Sequence, residues 1–413
     1  MNSMISDKGT GQVKDFYKLA AAMLVAYIQG STVWVILPLY LKSVGISNAE
    51  NSVIMSVSGL VGIFSGIIAG KVADIIGRKP IIVTGLLGYA IPWVIFWQTK
   101  SIPFFYLARV IDGITLQMFF TAVYAFISDV FPGEKRGRAQ GIYQSAANIG
   151  SAIGPVLLVG LVYNTLGPDI YWIVCIFIFL ISGSLVFLFV NESKRDVKKA
   201  STLFVSLKNL SNPLKNSKRK LGNAPSQNKP LTLYLLSSII RSIGQTMLLP
   251  LFSLYLLNLG LSVTETSIIY SVTSMVNIAT PTVFGLLSDK FGRKRILVLG
   301  IVASAITSLL FIWVQTFFQV LVVRLLSTVA MMITVPIGLA FLTDLLPPSG
   351  MGLGIGFYQS ILRIDSTVMG VVGGAFVQLY GFNAVFIVGC LTSLISAGII
   401  QAGIPESAKS KKT

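Results

Sequence analysis

Apolar residues follow one another along this chain in runs of about twenty, and the polar positions collect in short turns between them. As a helix, about twenty residues rise roughly 30 Å, the thickness of a bilayer's hydrocarbon core. The pattern predicts twelve such spans, at residues 17–42, 48–70, 79–99, 102–128, 138–163, 169–190, 231–257, 264–287, 294–314, 317–343, 352–379 and 383–404. One long polar stretch interrupts them, residues 191–230, rich in bases from Lys194 and Arg195 to Lys220 and Lys229. It divides the chain into an N-terminal bundle (1–190), a linker (191–230) and a C-terminal bundle (231–413). The expected fold class is an all-α multi-pass membrane protein with two bundles of six helices.

Composition and charge sharpen this picture. Of 413 residues, 54% are hydrophobic and 11% charged, against about 25% charged in a soluble globular protein. A net charge of +17 without histidine would suit nucleic acid if it formed one basic face. The bases instead sit in clusters between apolar runs, as topology signals do, and exclude that partner. If both termini and the linker share one side, that side holds 26 of the 32 Lys and Arg. The opposite loops then hold Lys42 and Lys100, and Arg109, Arg241, Arg324 and Arg363 lie inside spans. This asymmetry places the termini in the cytoplasm and the chain in the cell membrane. The first sixteen residues are polar and no small-residue cleavage site follows, so span 1 reads as a retained helix. Cys175 and Cys390 fall inside apolar spans and read as small buried hydrophobes.

The two halves are copies. Adding 215 to a residue number carries Tyr40 to Tyr255, Gly45 to Gly260, Asp74 to Asp289, Arg109 to Arg324, Asp129 to Asp344 and Cys175 to Cys390. Between residues 40 and 80, 16 of 41 positions are identical at that offset. Six spans apart, the copies share one orientation and are related by an axis along the membrane normal, the arrangement of transporters whose bundles rock about a central site.

The turn GKVADIIGRKP at residues 70–80 and its copy GLLSDKFGRKR at 285–295 resemble the signature loop of major facilitator superfamily transporters. Gly70, Ala73, Asp74, Gly77, Arg78 and Lys79 match; Val72 and Ile75 depart. Arg109 with Gly113 resembles the family's helix 4 motif, and Asn191-Glu192-Ser193 and Pro405-Glu406-Ser407 resemble its acidic motif. Gly141, Gly150, Gly154 and Pro155 resemble the helix 5 signature of the twelve-helix drug and proton antiporter branch, with Leu158 and Val159 in place of its last glycines. The resemblance implies a secondary active transporter working by alternating access. It also implies that Asp74 and Asp289 latch the cytoplasmic side, each facing the N-terminus of a helix in the other bundle, span 11 for Asp74 and span 5 for Asp289. Arg136 and Arg138 offer Asp289 a further partner, while Gly77 and Gly292 fit a tight turn. Arg78, Lys79, Arg293 and Lys294 are expected on the cytoplasmic surface.

Charges present in both halves should serve the shared gating machinery; charges in one half should serve substrate or coupling ion. The second set is Asp112, Arg241, Arg363 and Asp365, opposite Ser327, Ala26, Asn148 and Gly150. An ionised side chain deep in a span costs roughly 2.5–3.5 kcal/mol and needs a partner or a wet cavity. Arg109 and Asp112, three residues apart, share a helix face and can neutralise each other; Arg363 and Asp365 lie on nearly opposite faces. Gln29 is a weaker cavity candidate. No nucleotide-binding G-x-x-x-x-G-K-[ST] loop is present, so neither ATP nor enzyme chemistry is expected, and no cofactor or metal. The reading that follows is proton-coupled efflux of small amphiphilic compounds by a monomer in lipid, with Asp112 and Asp365 as proton carriers. Proton-coupled uptake of a small organic anion stays open beside it, as does a non-transporting scaffold.

Overall fold

The computed structural model describes residues 2–131, 135–193, 229–346 and 351–405, with backbone alone at 2–10, 279–287, 289 and 351–353. The polar linker from Lys194 onward and Glu406-Ser407 lie outside the described residues. All twelve spans are helical. Span 1 is Asn2–Gly30 continued by Val33–Ser43; span 2 is Asn48–Ile76; span 3 is Arg78–Gly88 followed by Ala90–Gln98; span 4 is Ile102–Val130. Span 5 is Lys135–Gly154, running on as a π-helical stretch Pro155–Tyr163, and span 6 lies in Asn164–Phe189. Span 7 is Lys229–Met247, a 3₁₀ turn Leu249–Leu251 and Phe252–Asn258. Spans 8 to 10 are Val263–Phe291, Arg293–Leu310 and Phe317–Leu345, and Met351–Gly403 carries spans 11 and 12.

Of the helix breaks that the hydropathy pattern does not show, those in spans 1 and 7 fall at matching places. Span 1 breaks after Gly30, where Ser31 Oγ donates to the Ile28 carbonyl and Thr32 Oγ1 to that of Gln29, side-chain bonds that compete with the helical ladder. Span 7 breaks after Met247, where Pro250 lacks an N–H for the ladder. The sharp turns repeat too. Every left-handed glycine among the described residues falls into a pair: Gly45 with Gly260, Gly77 with Gly292, Gly167 with Gly381. Only glycine takes that backbone without strain.

The chain forms two compact units, Met1–Leu37 with Val57–Pro213, and Pro38–Ser56 with Leu214–Thr413. In the first, Trp93 stacks on Trp172 at 5.9 Å and Phe96 on Phe105 at 5.3 Å. In the second, Phe311, the repeat partner of Phe96, stacks on Phe386 at 5.1 Å and accepts a 2.6 Å hydrogen bond from Tyr255 at its carbonyl. The hairpin tip Pro38–Ser56 packs with this second unit: Leu39 joins its core, and the Ala49 amide donates to Gln378 Oε1 at 3.3 Å. Large apolar side chains such as Phe64, Leu188, Phe318 and Leu379 point outward, as a lipid solvent permits and water does not.

Candidate functional site

Arg109 is the eighth residue of span 4, about 10 Å along the helix from its start. Asp112 follows one turn on, and each is 2% exposed. The Arg109 guanidinium donates to Asp112 Oδ2 and, at 2.6 Å, to Ser58 Oγ on span 2. Removing such a pair from water is costly, and the mutual attraction plus the serine offset that cost. The pair borders a cavity of about 170 Å³ whose aromatic walls include Tyr27, Trp34, Tyr89 and Phe119. Asp112 Oδ1 is buried with no hydrogen-bond partner among the described residues. Gln29 does not line this cavity; it is fully buried under the span 1 break, its amide without a partner among the described residues.

The signature turn differs from its surface reading. Arg78 is 4% exposed; its Nε donates to Asp129 Oδ2 at 3.0 Å and its Nη2 to Asp74 Oδ1 at 2.6 Å. The amides of Arg78 and Lys79 donate to Glu192 Oε1 and Oε2 at 2.7 and 3.0 Å. A carboxylate from the end of span 6 thus caps the positive N-terminus of span 3. Topology alone needs a solvated base, whereas a buried guanidinium held by carboxylates is a structural strut. The second copy repeats it: Arg293 donates to Asp344 Oδ2 at 2.9 Å, and Lys294 Nζ to the Ile404 carbonyl at 2.6 Å. Asp74 itself is half exposed, Arg136 and Arg138 are exposed, and the Asp289 side chain lies outside the described residues.

On span 5 the glycines meet the backbone of span 1. A Cβ on Gly150 would overlap the Leu24 carbonyl oxygen, and one on Gly154 that of Ile28. Pro155 opens the π-helical stretch, in which Leu158 and Val159 are buried. In the second unit Arg241 is buried, donating to Thr334 Oγ1 and Gln245 Oε1, each at 3.2 Å. Asp365 accepts from the Ser242 hydroxyl, and Arg363 is exposed. A second cavity of about 180 Å³ is bordered by Arg324, whose guanidinium lies 4.2 Å from the Phe252 ring centroid.

The profile of the Major Facilitator Superfamily matches residues 19–231 and 234–413. The chain belongs to the Major Facilitator Superfamily. It is therefore a membrane transporter and not an enzyme. Among curated members of the superfamily it is 26% identical over 387 residues to the multidrug resistance protein MdtG of Citrobacter koseri, covering 91% of each chain. It is 24% identical over 376 residues to MdtG of Enterobacter lignolyticus, covering 89% of this chain and 86% of that one. The fold matches the nucleoside transporter NupG with a TM-score of 0.78 at 14% identity, covering 95% of this chain and all of that one. A D-xylose–proton symporter matches at 0.72 and 15%, covering 96% and 98%.

Within this superfamily fold the sequence reading missed three parts. Tyr89 and Ser58 face the Arg109–Asp112 pair but are uncharged and sit in apolar runs, so nothing in the pattern marks them. Glu192 was matched to a motif without its role, because the cap joins residues 113 and 114 positions apart. Arg324 falls with Arg109 among the charges shared by both halves, and the letters alone do not place it beside a cavity.

Proposed function

We propose that this chain exports small amphiphilic, drug-like compounds in exchange for protons, by alternating access between a bundle at 1–190 and one at 231–413 joined by the linker 191–230. The observation that carries the reading is the likeness to multidrug resistance proteins over about nine-tenths of the chain. The Arg109–Asp112 cavity supports the proton part of it: the open Asp112 Oδ1 suits a proton or a cationic group, while about 170 Å³ between aromatic walls admits only part of a drug-sized body. Asp365, held by a hydroxyl and not by a base, is the second proton candidate. Asp74 and Asp289 act as cytoplasmic latches, with both termini in the cytoplasm and a monomer in lipid as the working form. Everted vesicles containing the protein should accumulate a lipophilic fluorescent cation when the lumen is made acid, so that protons leave as the cation enters. Equal accumulation in vesicles without the protein, or after the gradient is collapsed, would sink the proposal.

A second reading, uptake of a small organic anion with protons, is favoured by Arg241, whose guanidinium meets only neutral acceptors among the described residues. Counterflow of a labelled anion, lost in Arg241→Gln, would select it.

A further inference from the structure

The two units carry cavities built on the same scaffold and charged differently. Arg109 and Arg324 border them at repeat-equivalent places, and so do Gly30 and Gln245, Tyr89 and Ser304, Leu116 and Met331. One further pair decides the chemistry: Asp112 in the first cavity stands opposite Ser327 in the second. A hydroxyl cannot neutralise a guanidinium. Arg324 accordingly forms no ion pair and its guanidinium no hydrogen bond among the described residues; it lies over the Phe252 ring, and Tyr270 lines the cavity with it. The described carboxylates of that unit are engaged elsewhere or stand at the rim. Asp344 holds Arg293, Asp365 takes the Ser242 hydroxyl, Glu265 caps span 8 at Ser262, and Glu50 lies in the first turn of span 2.

We propose that the Arg324 cavity is a binding site for a small organic anion, a carboxylate on an aromatic or short aliphatic body. An intramembrane arginine without a counter-charge is costly, and its planar fork matches the two oxygens of a carboxylate. The first unit shows the completed arrangement, with the carboxylate supplied one helical turn away by the chain itself. In the second unit the ligand supplies it. Ser327 lines the cavity with a hydroxyl that can donate to the carboxylate, Ser304 Oγ being taken by the Gly300 carbonyl, and Phe311 and Phe386 also line it and offer apolar surface to the body. About 180 Å³ suits an anion of benzoate size and falls below the roughly 300–1,000 Å³ of sites for drug-sized ligands. This site is independent of the export reading, since its test is equilibrium binding and not transport.

The full-length protein, purified in lipid nanodiscs, is titrated with benzoate and with benzyl alcohol, its neutral counterpart, and followed by thermal unfolding and calorimetry. Benzoate should bind and raise the unfolding temperature, and benzyl alcohol should do neither. Arg324→Gln should weaken benzoate binding roughly ten- to hundredfold. Ser327→Asp recreates the register of Arg109 and Asp112; it should abolish benzoate binding while raising the unfolding temperature of the unliganded protein, a gain a misfolded variant cannot show. Failure of millimolar benzoate to bind the wild-type protein, or binding to either variant as strong as to the wild type, would overturn the proposal.

Discussion

Arg78 and Asp129 are joined by a 3.0 Å ion pair from the first residue of span 3 to the last turn of span 4. Arg293 and Asp344 repeat it at 2.9 Å. Asp129→Asn should therefore leave a buried guanidinium with only the half-exposed Asp74 as its carboxylate. The expected loss is about 1–3 kcal/mol, read as a lower midpoint in denaturant or heat. Asp344→Asn should cost less, because Arg293 is more exposed and also bonds the Ala340 carbonyl. Equal stability of Asp129→Asn and wild type would show that the strut carries no load.

Asp112→Asn removes the carboxylate paired with a guanidinium that is 2% exposed. Breaking a buried pair from one side costs about 3–5 kcal/mol, whereas removing both charges costs much less. The double variant Arg109→Gln with Asp112→Asn should thus unfold at a higher temperature than Asp112→Asn alone. Additive losses would rule out coupling between the two charges.

Gly154→Ala and Gly141→Ala, one residue type in one helix, should diverge. The first places a methyl on the Ile28 carbonyl oxygen; the second meets nothing within 4 Å. Gly141→Ala should leave expression intact and gain about 0.5–1 kcal/mol of helix propensity. Gly154→Ala should force spans 1 and 5 apart and reduce the yield of folded protein. Similar yields for the two would remove the close-packing account of the helix 5 motif.

Asp74→Asn tests the latch. Its ion pair with Arg78 is half exposed, so loss of stability should stay below about 1 kcal/mol. The balance between inward-open and outward-open forms, read by the labelling rate of single cysteines placed along the cytoplasmic ends, should nevertheless shift. An unchanged labelling pattern would leave Asp74 as a partner of Arg78 and nothing more.

The spans were legible because lipid imposes one rule on every residue of a helix, and Leu, Ile, Val and Phe obey it one by one. Their breaks were not: Ser31 and Thr32 interrupt span 1 through hydrogen bonds to carbonyls, and a hydropathy window sees two small residues in an apolar run. The Arg109–Asp112 pair was legible because its partners are three residues apart on one helix. The strut at Arg78 was misread because its depth depends on Asp129 and Glu192, which only packing brings to it. The difference between Arg109 and Arg324 was present in the letters at 112 and 327. It acquired meaning once both arginines were found beside cavities.

Glu192 also fixes where the polar linker begins. Its carboxylate grips the start of span 3, and Val190 and Ser193 on either side of it are 1% and 2% exposed. The described chain is therefore held down as far as Ser193, four residues beyond the end of span 6 at Phe189. Releasing those four residues would add roughly 13–14 Å of reach at 3.3–3.6 Å per residue. One hydrogen-bonded carboxylate thus moors the end of span 6 to the start of span 3.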